Sequence, residues 1–191
     1  MKLYGSEFSP YVRHCRVALA ECGLEYEFVL TDYAQSAEQS PTARVPFLID
    51  GALTLTDSAS ILRYIREHAG QAFLRDLIDY ELFLLANTAM DTTINLFLLA
   101  RDGLGPDTVP YLARQHARIS AVLQALDAHL GNHPPPAQAP FTDGHIRVGC
   151  YLSWGLFREQ IAMDDHPQLQ RLLATLNAWP VFKTGDPRHA N

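Results

Sequence analysis

The stretch SPYVRHCRVAL, residues 9–19, decides how the N-terminal part of the chain folds. Serine is a favoured N-cap and proline is favoured at the first helical position, so Ser9-Pro10 predicts the start of a helix. The apolar periodicity that follows extends this predicted helix over residues 9–22. A short apolar strand at residues 2–4 precedes it. The intervening turn therefore delivers the Ser9 hydroxyl to the positive end of a helix dipole, where anions, including a thiolate, are stabilised.

Ser9 has two interpretations at this stage. In the first it is only a helix cap, and the general preference of N-caps for serine favours that reading when the residue is taken alone. In the second its hydroxyl contacts a bound group. The rest of the sequence helps to decide between these two interpretations.

The residues around the first helix predict a small mixed sheet. β-favouring residues at 26–30 follow the helix, and strand, helix and strand at this spacing predict a right-handed βαβ unit with parallel strands. The sequence does not settle whether a short helix lies within 31–43.

Two further apolar runs, residues 45–49 and 52–55, flank Asp50-Gly51, and this dipeptide predicts a hairpin with a type I′ turn. Thr56-Asp57-Ser58 then opens a helix that ends near Gly70. The first 70 residues thus predict βαβ followed by ββα, the thioredoxin-like arrangement.

From about residue 75 the periodicity becomes helical throughout. Four helices are predicted, at about 76–100, 109–130, 146–158 and 167–179, with an exposed proline-rich loop at 133–140. The first of them is apolar over more than half its circumference, which predicts burial against its own domain and against a second subunit. The predicted organisation is a thioredoxin-like domain over 1–72 and an all-helical bundle over 77–191.

Composition excludes several classes of function. A net charge of −6 without a basic run argues against a nucleic-acid surface. We expect no secretory signal, no membrane span and no metal site, because the chain lacks the apolar stretches and the His and Cys spacings that these need. Three cysteines, an odd number without a C-x-x-C pair, indicate the reducing cytoplasm.

Three sequence elements together resemble one family. They are SPYVxxxRVAL at residues 9–19, Arg44-Val45-Pro46 followed by Asp57-Ser58, and DDHPQL through WPVF at residues 164–182. In this order and spacing the chain resembles the cytosolic glutathione S-transferases, in particular bacterial members and the serine-type classes. The resemblance covers nearly the whole length.

The chemistry of Ser9 can be argued from the residue itself. Thioredoxin and glutaredoxin carry a cysteine at this place, because a thiolate there has a lowered pKa and attacks disulfides. A serine hydroxyl cannot exchange with disulfides, but it can donate a hydrogen bond to the sulfur of a bound thiol and favour the thiolate. The predicted reaction is attack of activated glutathione, a co-substrate and not a cofactor, on a small hydrophobic electrophile.

The resemblance implies roles for five residues in binding glutathione. It implies a cis bond before Pro46 that presents the backbone of Val45 to the cysteinyl unit. It implies that Ser58 binds the γ-glutamyl carboxylate and that Asp57 binds the ammonium group, although glutamate is more usual at that place. Arg44 is expected to reach the glycine carboxylate. The alternatives are a trans strand-entry proline, a helix cap with a first-turn carboxylate, and a solvated arginine.

Four further residues are weighed for the site. Ser6 is a rival hydroxyl in the same turn as Ser9, whereas Tyr4 is interpreted as a packing residue and Cys15 as a buried core thiol. An electrophile pocket is expected between the domains, with Tyr11 at its floor and residues 91–97 as a wall.

One feature departs from the family pattern. The third helix of the second domain usually begins with a Ser/Thr-x-x-Asp capping box, and here Thr142-Asp143-Gly144-His145 carries histidine at the last position. We expect a weaker cap, by a fraction of a kcal/mol to about 1 kcal/mol.

Two other functions remain open on the sequence. One is a non-catalytic member of the family, of the stringent-starvation type, that serves as a protein-interaction module. The other is a glutathione-dependent disulfide reductase. The expected partners are glutathione, a small electrophile and a second copy of the chain, with no nucleic acid and no membrane.

Overall fold

In a computed structural model, which describes residues 1–189, the chain forms two compact units. The first comprises Met1–Arg75 together with the chain from Asn177 onward, and the second is Asp76–Leu176. Elements of the N-terminal part are β1 (Lys2–Gly5), α1 (Pro10–Glu21), β2 (Glu27–Leu30), α2 (Tyr33–Gln39), β3 (Phe47–Asp50), β4 (Leu53–Leu55) and α3 (Ser58–His68). Those that follow are α4 (Leu77–Arg101), α5 (Pro110–Asn132), α6 (Asp143–Phe157) and α7 (Pro167–Ala178), with 3₁₀ helices at Pro180–Lys183 and Pro187–His189.

The four strands form one mixed sheet in the order β2-β1-β3-β4. β1 runs parallel to β2 and antiparallel to β3, and β3 runs antiparallel to β4. The predicted thioredoxin-like βαβ-ββα order is confirmed. Its core joins the sheet to α1 and α3 through residues without exposed surface: Leu3, Phe47, Leu48, Val17, Leu19, Ile61, Leu62 and Ile65.

The β3–β4 hairpin forms, but its turn is not the type I′ turn that the sequence predicts. Asp50 pairs with Leu53, so the two turn residues are Gly51 and Ala52. Gly51 has φ +58°, whereas Ala52 does not have a positive φ. A positive φ at the first turn position alone is the pattern of a type II′ turn, which places glycine there. The turn thus lies one residue further along the chain than Asp50-Gly51 suggests, and Ile49 pairs with Thr54 instead of Ala52.

The segment at 31–43, which the sequence left open, contains a short helix. Asp32 caps α2 by accepting a hydrogen bond from the Gln35 N–H at 2.8 Å, and the Gln35 side chain accepts from the Asp32 N–H at 3.1 Å. This reciprocal capping box supplies two backbone donors with partners and explains why so polar a segment is helical.

The second unit confirms the predicted helical bundle. α4 is its central helix and packs against both α5 and α6. By length and composition alone α4 could cross a membrane, but part of its surface is buried within the protein, as is common for the core helix of a bundle. Residues 133–140 form a largely exposed irregular loop, as predicted.

The predicted second domain over 77–191 differs from the structure at its end. From Asn177 onward the chain groups with the N-terminal unit. The physical reason is an ion pair between Arg13 of α1 and Asp186, whose side chains are both about 2% exposed and lie 3.4 Å apart. The helical periodicity of the sequence after residue 75 does not indicate that the C-terminal residues pack with the N-terminal unit.

The N-terminus of α6 is capped by histidine more completely than the sequence suggests. The Thr142 hydroxyl accepts from the His145 N–H, and His145 Nδ1 accepts from the Thr142 N–H, both at 3.3 Å. Both hydrogen bonds of the capping box are therefore present with histidine at the last position. An unprotonated imidazole nitrogen takes the place of the carboxylate.

A buried carboxylate from α4 supports the same helix start. Asp79 accepts a hydrogen bond from the Gly144 N–H at 2.8 Å. Burial raises the pKa of Asp79, while hydrogen bonds from Thr142 and Gly144 oppose that rise. The approach is so close that a Cβ on Gly144 would lie 2.5 Å from Asp79 Oδ1 and 2.8 Å from the Asp79 carbonyl oxygen. Only glycine fits between these two helices.

Gly144→Ala should destabilise the protein, by about 2 kcal/mol or more, because the new methyl group must displace the Asp79 backbone. Gly131→Ala is the matched control, since its Cβ would meet nothing nearer than Gln168 Cγ at 3.8 Å. Alanine in a helix should leave stability unchanged or raise it by up to about 1 kcal/mol. Denaturant unfolding of both variants measures the difference, and equal stabilities would contradict the described contact.

Stability should fall in mild acid through His145. Burial lowers the pKa of its imidazole from 6.5 to about 4, with the charge of His129 contributing. Between these values the unfolded chain binds the proton and the folded chain does not. The contribution is thus intact above about pH 6.5 and is lost as the pH falls through about 4, an effect of about 3 kcal/mol.

The matched variant is His145→Gln, because glutamine can close a capping box but does not titrate in this range. Free energies of unfolding at pH 7, 5.5 and 4 should decline less steeply in the variant than in the wild type. Parallel curves would show that His145 is not the group responsible.

Candidate active site

The site residues predicted from the sequence lie along one edge of the sheet. The antiparallel register pairs Tyr4 with Phe47, so the chain leaving β1 and the chain entering β3 lie at the same edge. Leu55 at the end of β4 pairs with Leu48, which brings the start of α3 to this edge as well. Strand topology alone thus places the Ser9 turn, Val45-Pro46 and Asp57-Ser58 along one border.

The turn between β1 and α1 is tightly held. The Ser9 N–H donates to the Ser6 carbonyl at 3.1 Å, and the Phe8 N–H donates to the Ser6 hydroxyl at 3.3 Å. A Cβ on Gly5 would lie 2.6 Å from a Val12 methyl, so the end of β1 meets the first turn of α1 at a distance that requires glycine. Both serines are thereby fixed at the mouth of α1.

Ser9 is the N-cap of α1, as predicted. Its hydroxyl oxygen accepts from the Val12 N–H at 3.4 Å. A hydroxyl accepts through its lone pairs and donates through its proton, so this cap bond leaves the proton available to another acceptor. The two interpretations of Ser9 are therefore compatible.

The Val45-Pro46 bond is cis, as expected. Pro46 is buried and Val45 is half-buried at the edge of the sheet. Pairing of β1 with β3 begins at Phe47, so the backbone of Val45 lies outside the strand ladder. Among residues 1–189 no hydrogen bond joins the Val45 N–H or carbonyl to another part of the protein. One donor and one acceptor are therefore open to a ligand.

Asp57 and Ser58 form the start of α3. Asp57 is exposed and caps the helix, with Oδ1 accepting from the Ala59 N–H at 2.7 Å. Ser58 is the first helical residue and is 7% exposed. The cap bond uses one oxygen of Asp57, so the other carboxylate oxygen is available to bind a cation. The backbone N–H groups at the start of the helix are suited to bind an anion.

The remaining predicted residues have varied surroundings. Arg44 is exposed, and Tyr11 is half-buried in the first turn of α1. Tyr4 stacks on Phe47 with 4.4 Å between ring centroids, and Cys15 has no exposed surface. These placements agree with interpreting Tyr4 and Cys15 as packing residues.

The electrostatics of this edge favour negative groups. The N-termini of α1 and α3 both lie here, and neither first turn contains an acidic residue, although Asp57 at the N-cap of α3 adds one carboxylate. The opposite edge carries a carboxylate that already has partners. Asp50 accepts a hydrogen bond from the Tyr64 hydroxyl at 2.7 Å and lies 3.5 Å from the terminal ammonium. The Tyr64 hydrogen bond lowers the pKa of Asp50.

Within residues 1–189 no group of His, Cys, Asp and Glu side chains is arranged to hold a metal ion. Cys15, Cys22 and Cys150 are thiols that are not joined in a disulfide.

A buried ion pair that no sequence motif predicts lies next to the Ser9 turn. Arg13 Nη2 donates to the Phe182 carbonyl at 2.8 Å and meets Asp186 Oδ2 at 3.4 Å. Burial by itself raises the pKa of Asp186, but hydrogen bonds from Arg188 and the charges of Arg188 and Arg13 outweigh it and hold the pKa at about 2. Only the apolar spacing of α1, which Arg13 interrupts, could have drawn attention to it.

Comparison with known proteins shows a similarity in the N-terminal part of the chain. Residues 3–73 match the family described as glutathione S-transferase, N-terminal domain. The chain is 36% identical over 83 residues to the probable glutathione S-transferase GSTF2 of Oryza sativa subsp. japonica. That alignment covers 40% of this chain and spans 39% of the length of the rice protein.

Solved structures extend the likeness to the full length. A glutathione S-transferase from Methylobacterium radiotolerans, in complex with glutathione sulfonate, is 28% identical with a TM-score of 0.83 and coverage of 100% of this chain and 95% of that one. A glutathione S-transferase from Methylobacillus flagellatus with GSH bound shares the fold, with 24% identity, a TM-score of 0.86 and coverage of 97% and 98%. The N-terminal part of the chain is thus similar to the glutathione S-transferase N-terminal domain, and the chain as a whole has the fold of these solved glutathione S-transferases.

Proposed function

We propose that the protein is a glutathione transferase in which the Ser9 hydroxyl donates a hydrogen bond to the sulfur of glutathione. The observation that carries the proposal is the convergence of Ser9, the open backbone of Val45 and the start of α3 at one sheet edge. Two helix N-termini there favour anions, and glutathione brings a thiolate and two carboxylates. Bound forms of glutathione in two structurally similar proteins support the ligand class.

Binding would use the backbone and three side chains. The Val45 N–H and carbonyl pair with the amide groups of the cysteinyl unit, as an added strand would. Ser58 and the start of α3 bind the γ-glutamyl carboxylate, and the free oxygen of Asp57 binds the ammonium group. Arg44 reaches the glycine carboxylate. Each glutathione charge thus meets a group of opposite sign.

Catalysis follows from the sulfur's position at the N-terminus of α1. A thiol with a pKa near 8.5 is mostly protonated at neutral pH, and a reduction of roughly one to two units raises the thiolate fraction about tenfold or more. The Ser9 proton and the helix dipole stabilise that thiolate. The thiolate then forms a bond to the electrophilic carbon. In an addition the π electron pair moves to the neighbouring atom, which takes up a proton, and in a substitution or thiolysis the leaving group departs with its bonding electron pair. Tyr11 is proposed to contact the electrophile.

The structure disfavours one of the two alternative functions and leaves the other open. A protein-interaction module has no physical need for a matched set of peptide-binding groups at Val45, Asp57 and Ser58. A glutathione-dependent disulfide reductase needs no cysteine from the protein, so the same site could serve it. Turnover of a chlorodinitrobenzene-type substrate, compared with reduction of a mixed glutathione disulfide, separates transferase from reductase.

Assembly and location are part of the proposal. α4 leaves an apolar stripe exposed, in which Leu77 is 81% exposed and Tyr80 and Leu84 follow on the same face. We propose that this stripe contacts a second copy of the chain, and that the homodimer acts in the cytoplasm.

Ser9→Ala is the direct test of thiol activation. We expect kcat/KM at neutral pH to fall about ten- to hundredfold, because one donor to the developing thiolate is lost, while glutathione affinity changes less than about threefold. Loss of the cap should also lower stability by about 1 kcal/mol. Steady-state kinetics and glutathione titration give both values.

Ser6→Ala is the matched control, since Ser6 lies in the same turn and also accepts a backbone hydrogen bond. It should change kcat/KM less than about twofold. If Ser6→Ala carries the loss and Ser9→Ala does not, the activating hydroxyl is Ser6. If neither the wild type nor the two variants are retained on immobilised glutathione, the proposed function is wrong.

Asp57 offers a way to separate capping from binding. Asn is as good an N-cap as Asp, so Asp57→Asn should keep the stability and weaken glutathione binding about fivefold or more through loss of charge. Asp57→Ala should weaken binding similarly and cost about 1 kcal/mol in stability. Calorimetric binding and thermal unfolding measure both. Unchanged affinity in Asp57→Asn would leave the residue as a cap only.

A further inference from the structure

The first turn of α1 is anchored by a segment that lies more than 160 residues away in the chain. We call residues 179–189 the C-terminal strap. Arg13 donates its backbone N–H to the Ser9 carbonyl at 3.0 Å, so it lies one turn from the proposed activating hydroxyl. Its side chain is about 2% exposed and points to the strap. The strap thus contacts the helical turn that Ser9 begins.

Three contacts fix the guanidinium of Arg13. Nη2 donates to the Phe182 carbonyl at 2.8 Å and meets Asp186 Oδ2 at 3.4 Å, and Cζ lies 4.2 Å from the centre of the Phe182 ring. A planar group held at its edge and on its face has little freedom to rotate. The backbone of α1 to which it is attached is restrained as well.

Asp186 is itself held from the other side. Arg188 donates to both of its carboxylate oxygens, with Nη2 at 2.6 Å from Oδ2 and Nε at 3.0 Å from Oδ1. Gly185, with φ +64°, approaches Arg16 so closely that an added Cβ would lie 3.2 Å from Nη1. Arg13 and Arg16 are three residues apart on one face of α1, so the strap meets the helix at two points.

The position of Ser9 depends on this turn. A hydrogen bond to a thiolate weakens steeply with misalignment, and a functional group needs its geometry fixed to within about 0.5 Å by its supporting contacts. The N-cap bond of Ser9 at 3.4 Å is long and gives little restraint of its own. In addition to the Ser9 N–H bond to the Ser6 carbonyl, restraint comes from the body of the helical turn, where Arg13 lies.

We propose that the C-terminal strap is a positioning element of the active site, and that the Arg13–Asp186 pair holds the first turn of α1 so that the Ser9 hydroxyl meets the sulfur. Arg13 and Asp186 are positioning residues and do not contact the reacting atoms. The inference rests on the proposed function, because it acts through Ser9.

The test uses the full chain with Asp186→Asn, which keeps the shape of the side chain and removes its charge. Titration of the thiolate absorbance of bound glutathione should show the thiol pKa raised toward that of free glutathione by about half a unit or more. At pH 6.5, kcat/KM should fall about three- to tenfold, while the KM for glutathione changes less than about twofold. An unchanged thiol pKa would overturn the positioning role, whatever happens to stability.

Asp127→Ala is the control for lost stability alone. Asp127 accepts from the Gln168 and Leu169 N–H groups at 2.8 and 3.0 Å and so caps α7 in the other unit. This variant should lower the melting temperature without moving the thiol pKa. A thiol pKa that moves equally in both variants would overturn the proposal.

A double-mutant cycle checks that the effect passes through Ser9. In a Ser9→Ala background, Asp186→Asn should move the thiol pKa by less than half of its effect in the wild type, and additive effects would contradict the proposal. If Asp186→Asn does not fold, Arg13→Lys replaces it, since lysine keeps the charge but not the planar fork. A wild type that does not lower the thiol pKa would instead refute the proposed function.

Discussion

The antiparallel register of β1 and β3 is the constraint on which the candidate site depends. With Tyr4 opposite Phe47, the exit of β1 and the entrance of β3 share one edge, and β4 returns the chain to the same edge. A shift of one residue would turn Leu3 and Leu48 out of the core and move the Ser9 turn away from Val45. Packing of the sheet and placement of the site are therefore the same requirement.

Buried and half-buried polar groups hold the helix starts in both units. Asp79 and His145 complete the start of α6, Asp127 caps α7 from another helix, and Arg13 joins α1 to the C-terminal strap. Buried charges of this kind contribute little net stability, but removal of one partner is costly. Their value lies in fixing where a helix begins, and a site built on the N-terminus of α1 needs that.

The sequence predicts what is local, and it fails where distant residues meet. Ser9-Pro10 and the apolar residues of α3 determine their helices, so the βαβ-ββα order and the helical bundle could be predicted. The turn at Gly51, by contrast, depends on strand register. The ion pair between Arg13 and Asp186 joins positions 173 residues apart, and the apolar periodicity of the sequence does not predict it. The residue type of His145 predicts a weak cap, whereas burial lowers the pKa of its ring, and the neutral ring can accept the hydrogen bond of the cap.

The choice of serine at the start of α1 explains how this arrangement acts on a bound thiol. A helix N-terminus stabilises whichever thiolate lies at its mouth. With cysteine at residue 9 that thiolate would belong to the protein, and disulfide exchange would follow. Serine keeps the cap bond and retains a proton to donate, so in the proposed function the stabilisation would pass to the sulfur of a ligand. On that proposal, a difference of one atom moves the nucleophile from the chain to its co-substrate, which the backbone of Val45 and the start of α3 would then have to hold.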